Sequence, residues 1–109
     1  MDSPVDFEPD DHGIRLRLSA QRALWGNIPT SLRAVSVEYD GHLIRCRYVF
    51  DGAPSAFDRD LLAQAGTEII SDYSSPYSVD EEFIVLPEPA PISHLKHLVF
   101  MRYEAATSA

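Results

Sequence analysis

His94 and His97 stand three residues apart, a spacing that places two imidazoles on one side of a helix and would suit a shared metal ion. Here the pair follows the proline-rich run "PEPAP" and opens an apolar stretch, so it falls at a loop-to-strand junction. No further Cys or His lies nearby, and His12 and His42 are isolated in sequence, so neither a metal nor a cofactor is expected. Nucleophilic catalysis needs a Ser or Cys on a tight turn beside a base, and no G-x-S-x-G elbow occurs. The five glycines form neither a P-loop nor a dinucleotide fingerprint. Cys46 sits within an apolar strand pattern, where a thiol is small, buried and inert, and a lone cysteine has no disulfide partner in the chain. Paired carboxylates are plentiful, as in Asp80-Glu81-Glu82 and Asp58-x-Asp60, but acid-base work requires one of them to be desolvated. Acids at helix starts and strand ends are normally solvated, so the chain reads as a non-enzyme.

Charge is the strongest global feature. Seventeen Asp and Glu against nine Lys and Arg give a net charge of -8. Such a surface repels phosphate backbones and anionic membranes and attracts a basic protein partner; it also serves plain solubility. With 45% hydrophobic and 24% charged residues in a chain of 109, one folded domain with a modest core is expected. No apolar run is long enough to span a bilayer, and "MDSPVDFEPDD" lacks the pattern of a signal peptide. A cytoplasmic protein is the expectation.

The elements that must position these residues follow from periodicity. Residues 1–12 hold five acids, two prolines and one aromatic and read as a flexible acidic tail, with residues 105–109 as a flexible C-terminus and 13–104 as the domain. A helix over about 15–25 places Leu16, Ala20, Ala23 and Leu24 on one face and Leu18 and Trp25 opposite, with Gly26 and Pro29 as its stop. "SLRAVSVEYD" and "HLIRCRYVFD" form a hairpin through Asp40-Gly41, which predicts Val37 opposite Ile44 and Val35 opposite Cys46. The other side of that hairpin, with Ser36, Glu38, Arg45 and Arg47, is expected to face water. A second helix over about 56–73 is capped by Ser55 and Asp58 and buries Leu62, Gly66, Ile69 and Tyr73. "EEFIVLP" and "HLVFMRYE" supply two more strands, joined by "PEPAP" as a stiff connection rather than a polyproline ligand. The order α-β-β-α-β-β predicts an α+β sandwich, a mainly antiparallel four-stranded sheet with both helices on one face and the other face open.

The segments "RALWG", "LRAV", "FDG" and "TEIISD" resemble a family of small bacterial proteins over roughly residues 15–104. Some members of that family look like immunity proteins, which protect a cell against its own contact-dependent growth-inhibition toxin. The resemblance implies an inhibitor that binds a toxin, and an acidic domain without a catalytic constellation fits the cleft of a basic, nucleic-acid-cutting toxin. On that reading the partner-binding candidates are Asp72, Asp80, Glu81 and Glu82 near the helix-to-strand junction, with Asp60 on the polar side of the second helix.

Trp25 is the single tryptophan of the chain. Its helix already offers four residues to the core, so burial against the second helix or Phe7 is expected; exposed instead, it would mark a contact surface beside Leu18. Two other classes of function stand beside the inhibitor: a homo-oligomer assembled through an open sheet face or edge, and an undetected enzyme or small-ligand binder.

Overall fold

Six elements make up the computed structural model, which describes residues 9–105: α1 (Pro9–Leu24), β1 (Leu32–Asp40), β2 (Leu43–Phe50), α2 (Ala56–Ser71), β3 (Ser78–Val85) and β4 (His97–Met101). The expected order and α+β class hold. α1 begins earlier than periodicity indicated, with Pro9, a residue suited to a first helical position, at its start. Residues 9–12 thus belong to a helix rather than to the tail. The remainder of the two expected tails, residues 1–8 and 106–109, with Phe7 among them, lies outside the described residues.

The sheet runs in the order β3-β2-β1-β4, antiparallel except for the parallel β2–β3 pair. A parallel neighbour needs a crossover, and α2 supplies it. Its start is fixed by a capping box in which the Ser55 hydroxyl accepts from the Asp58 N–H while the Asp58 carboxylate faces the Ser55 N–H. In the hairpin, Asp40 pairs with Leu43, Val37 with Cys46 and Val35 with Tyr48, so the register lies one pair away from the expected one. The reason is the turn. Positive φ occurs at Gly41 (65°) and at no non-glycine residue described, so glycine takes the first position of the two-residue loop and Asp40 stays in the strand. The shift preserves parity, and the same side chains face inward.

Those inward side chains, Val35, Val37, Ile44, Cys46, Tyr48 and Phe50, meet Leu16, Ala20, Ala23 and Leu24 of α1 and Leu62, Ala65 and Ile69 of α2 in one buried cluster. Each large aliphatic or aromatic member contributes roughly 1.5–3 kcal/mol by leaving water. α2 approaches β3 closely at Gly66, where a Cβ would come within 2.7 Å of the Glu81 carboxyl carbon. The glycine makes room for an acid inside the layer. Glu81 accepts a 2.6 Å hydrogen bond from the Tyr48 hydroxyl. Burial pushes its carboxyl above the usual range, the Tyr48 bond opposes this, and neighbouring Asp80 adds to the rise.

The outer face of the sheet is not open, contrary to expectation. With β3 and β4 at opposite edges and both helices on the inner side, the chain must cross the outer face between them, and residues 86–96 do so. Prolines suit such a crossing because they have no N–H to satisfy. The Leu95 N–H donates to Ser36 Oγ (2.9 Å), Arg47 donates to the Ser93 carbonyl (2.8 Å), and Arg33 donates to the carbonyls of Leu86 (2.6 Å) and Ala90 (3.0 Å). Ser36 is consequently buried. Arg33, 3% exposed, also grips Glu104 with two bonds of 2.8 and 2.9 Å. Glu104 in turn receives Arg102, which reaches Asp51 and Glu88. Arg33 and Arg102 hold the Glu104 carboxyl below its ordinary range.

Two outcomes follow from these contacts. Arg33→Leu leaves the Glu104 carboxylate and two loop carbonyls without their donor, and should lower the unfolding free energy in denaturant by about 3–5 kcal/mol. Glu81 carries the opposite sign of pH dependence from Glu104. A carboxyl whose folded value is raised stabilises the fold at low pH and loses that contribution as pH climbs through the folded value. Glu81→Gln, which keeps an acceptor for Tyr48, should therefore be more stable than the parent near pH 7. Melting curves taken down to about pH 4 should show that advantage shrinking, because the parent carboxyl is then protonated as well.

Candidate partner-binding surface

On α1 the 3.6-residue period separates two sides. Leu16, Ala20, Ala23 and Leu24 are buried as expected, while Ile14 (43%), Leu18 (60%) and Trp25 (75%) stand in solvent. The expected burial of Trp25 does not occur. The helix ends at Leu24, and Asn27 closes it by donating its N–H to the Leu24 carbonyl (2.9 Å) and its side-chain amide to the Ala23 carbonyl (3.0 Å). This closure leaves the indole one position past the helix, on its outward side, with neither α2 nor the sheet over it.

Ile14, Leu18 and Trp25 form a ridge with a groove on either side. Toward α2 lies a depression of about 510 Å³ lined by Ile14, Arg15, Leu18, Ser19, Arg22 and Asp72. Toward β4 lies one of about 320 Å³ lined by Gln21, Leu24, Trp25, Ile28, Val99 and Phe100. Together these form a solvent-facing relief with apolar linings on the helical side, and aromatic and arginine side chains are the types that dominate protein contacts.

Asp72 crosses the first groove and contacts three residues of α1. Asp72, the C-cap of α2, accepts from Ser19 Oγ (2.6 Å) and from Arg22 (2.5 Å), while its carbonyl accepts from Arg15 (2.9 Å). The Arg15 guanidinium also lies 4.5 Å over the Tyr73 ring, which meets Tyr39 through a 2.8 Å hydroxyl contact. Asp72 thereby ties α1 to the end of α2.

The other acids singled out from sequence do not gather into one patch. Glu81 points into the layer beneath α2, whereas Asp80 and Glu82 fall on the opposite side of β3 by strand alternation. Glu82 is bonded to Arg47 (2.9 Å), Asp80 is exposed beside Arg45 in register, and Asp60 is exposed on α2. The alternation of Val79, Glu81 and Phe83 was visible in sequence and marks Glu81 as an inward residue. Arg33 and Arg102, which organise the far end of the sheet, had no such signal because their partners are distant in sequence.

Catalytic and metal chemistry find little support in the same geometry. Burial pushes the Cys46 thiol up to about 12, which leaves it a poor nucleophile. His94 and His97 do not converge with a third ligand, and no group of three potential metal ligands occurs among the described residues. No described helix is long and apolar enough to cross a membrane.

No curated protein sequence matches this chain. A protein-family model does, and its span of residues 13–104 takes in the α1 ridge, the whole sheet and the Arg33–Glu104 pair. The chain therefore belongs to the family described as MafI2 immunity protein.

Proposed function

We propose that this chain is a non-catalytic inhibitor that binds one toxin domain and silences it by occupying its surface. Family membership over residues 13–104 carries the reading. The inert, buried thiol of Cys46 and the exposed apolar α1 ridge agree with a protein that works by contact rather than by turnover. A basic toxin, such as a nuclease domain, is the target class favoured by the net charge of -8, which speeds encounter with a cationic protein and disfavours direct binding of nucleic acid. The cytoplasm, where an incoming toxin would act, is the place of action that goes with this reading.

A second reading has its own observation. β4 is an edge strand, and Leu98 (42%), Met101 (52%) and Tyr103 (89%) are exposed on or beside it. An apolar edge is a template for pairing with the same edge of another copy.

An immunity protein protects only when its toxin is encoded within reach, so the toxin domain specified by the neighbouring gene is the natural probe. Expressed alone in cells it should arrest growth, and co-expression of this chain should restore growth through a one-to-one complex. Persistent arrest with this chain present in excess would sink the inhibitor reading. For self-association, light scattering of the isolated chain should give a dimer mass that reverts to monomer on Leu98→Lys; a monomeric mass at high concentration removes the edge-paired dimer.

A further inference from the structure

From Gly13 onward α1 has a charge opposite to that of the protein as a whole, although its first turn holds Asp10 and Asp11. From Gly13 to Trp25 the sequence holds Arg15, Arg17 and Arg22 and no acid, whereas five of the seventeen acids lie in residues 1–12. The 13–109 stretch therefore holds twelve acids against all nine basic residues. On the helix, the apolar ridge of Ile14, Leu18 and Trp25 spans about three turns. Arg15 and Arg22 flank it toward α2, and Arg17, which makes no ion pair among the described residues, flanks it on the other side. Asp72 is the sole acid lining either groove among the described residues, and it is already engaged by Arg15, Ser19 and Arg22.

We infer that this ridge is the surface that seats the toxin, and that the toxin patch it meets is an apolar depression bordered by carboxylates. The inference rests on the inhibitor reading above and adds the chemistry of the contact. Net charge acts over distances near the screening length of about 8 Å and sets how often the proteins meet. At contact the neighbours within a few ångströms decide, and here they are the guanidinium groups of Arg15 and Arg22 in the groove toward α2 and an apolar groove beside the indole. A basic patch set against this ridge would place like charges together. So would a second copy of the same ridge. Nucleic acid fits less well: the strip is apolar along its centre, two of its three arginines are held at Asp72, and the first turn of the helix itself holds Asp10 and Asp11.

The test measures binding of the full chain to the purified toxin domain of the neighbouring gene, with Trp25→Ala, Arg17→Glu and Asp60→Lys compared at two salt concentrations. Trp25, Arg17 and Asp60 are exposed, and unchanged melting temperatures would show that each variant is folded. Trp25→Ala should weaken binding about 30-fold or more, as expected of a central aromatic contact. Arg17→Glu should weaken it about 10-fold and flatten its salt dependence, while Asp60→Lys stays within about twofold of the parent. Tighter binding by Arg17→Glu together with loss by Asp60→Lys would place the contact on acidic residues and overturn the inference. Three variants that bind like the parent would overturn it too, leaving the inhibitor reading intact. Failure of the parent chain to bind or neutralise the toxin overturns both. Binding of a single-stranded oligonucleotide by the parent, abolished by Arg17→Glu, would replace the protein partner with nucleic acid.

Discussion

A buried guanidinium holds this fold closed. The strand order β3-β2-β1-β4 leaves the third and fourth strands at opposite edges, and with two helices on one face the intervening chain has a single route across the other. That route carries carbonyl groups that no strand satisfies, and Arg33 meets two of them while gripping Glu104 beyond the last strand. Desolvating one cation is costly, and a bidentate carboxylate with two further acceptors offsets the cost. Through Glu104 the contact extends to Arg102, Asp51 and Glu88, so the end of β2, the crossing loop and the segment after β4 are fastened at one point.

Charge is distributed in the molecule by segment rather than by patch. The N-terminal dozen residues contain acids and no Lys or Arg, α1 from Gly13 onward contains arginines and no acid, and most carboxylates of the sheet end are matched by arginines. Net charge alone thus describes the far field of this protein and misdescribes its near field.

Much of the fold was legible before the structure. Helical period assigned the four large or aliphatic buried residues Leu16, Ala20, Ala23 and Leu24 of α1, Ser55 and Asp58 marked the start of α2, and alternation chose the inward side of β1 and β2 even though the turn was placed one pair off. A period of two tolerates an even slip, which is why that error left the core intact. The long-range polar contacts were not legible. Ser36 and Arg47 read as solvent-facing because local pattern contains nothing about a loop some fifty residues later that comes to lie on them. Trp25 misled for a related reason: its size argued for burial, and only the packing of α2 and β4 shows that neither of them covers it. The acids near β3 were grouped by proximity in sequence, whereas a strand sends neighbours to opposite faces.

Asp72 has a consequence for the kinetics of any complex formed on α1. It contacts Ser19, Arg15 and Arg22 at once, which biases two long side chains toward one arrangement before a partner arrives. Ordering such a side chain on binding ordinarily costs about 0.5–1.5 kcal/mol each, and here part of that entropy is already spent in folding. A side chain already biased toward its bound arrangement would leave less to rearrange on docking, and would act mainly through the dissociation rate of any complex formed there.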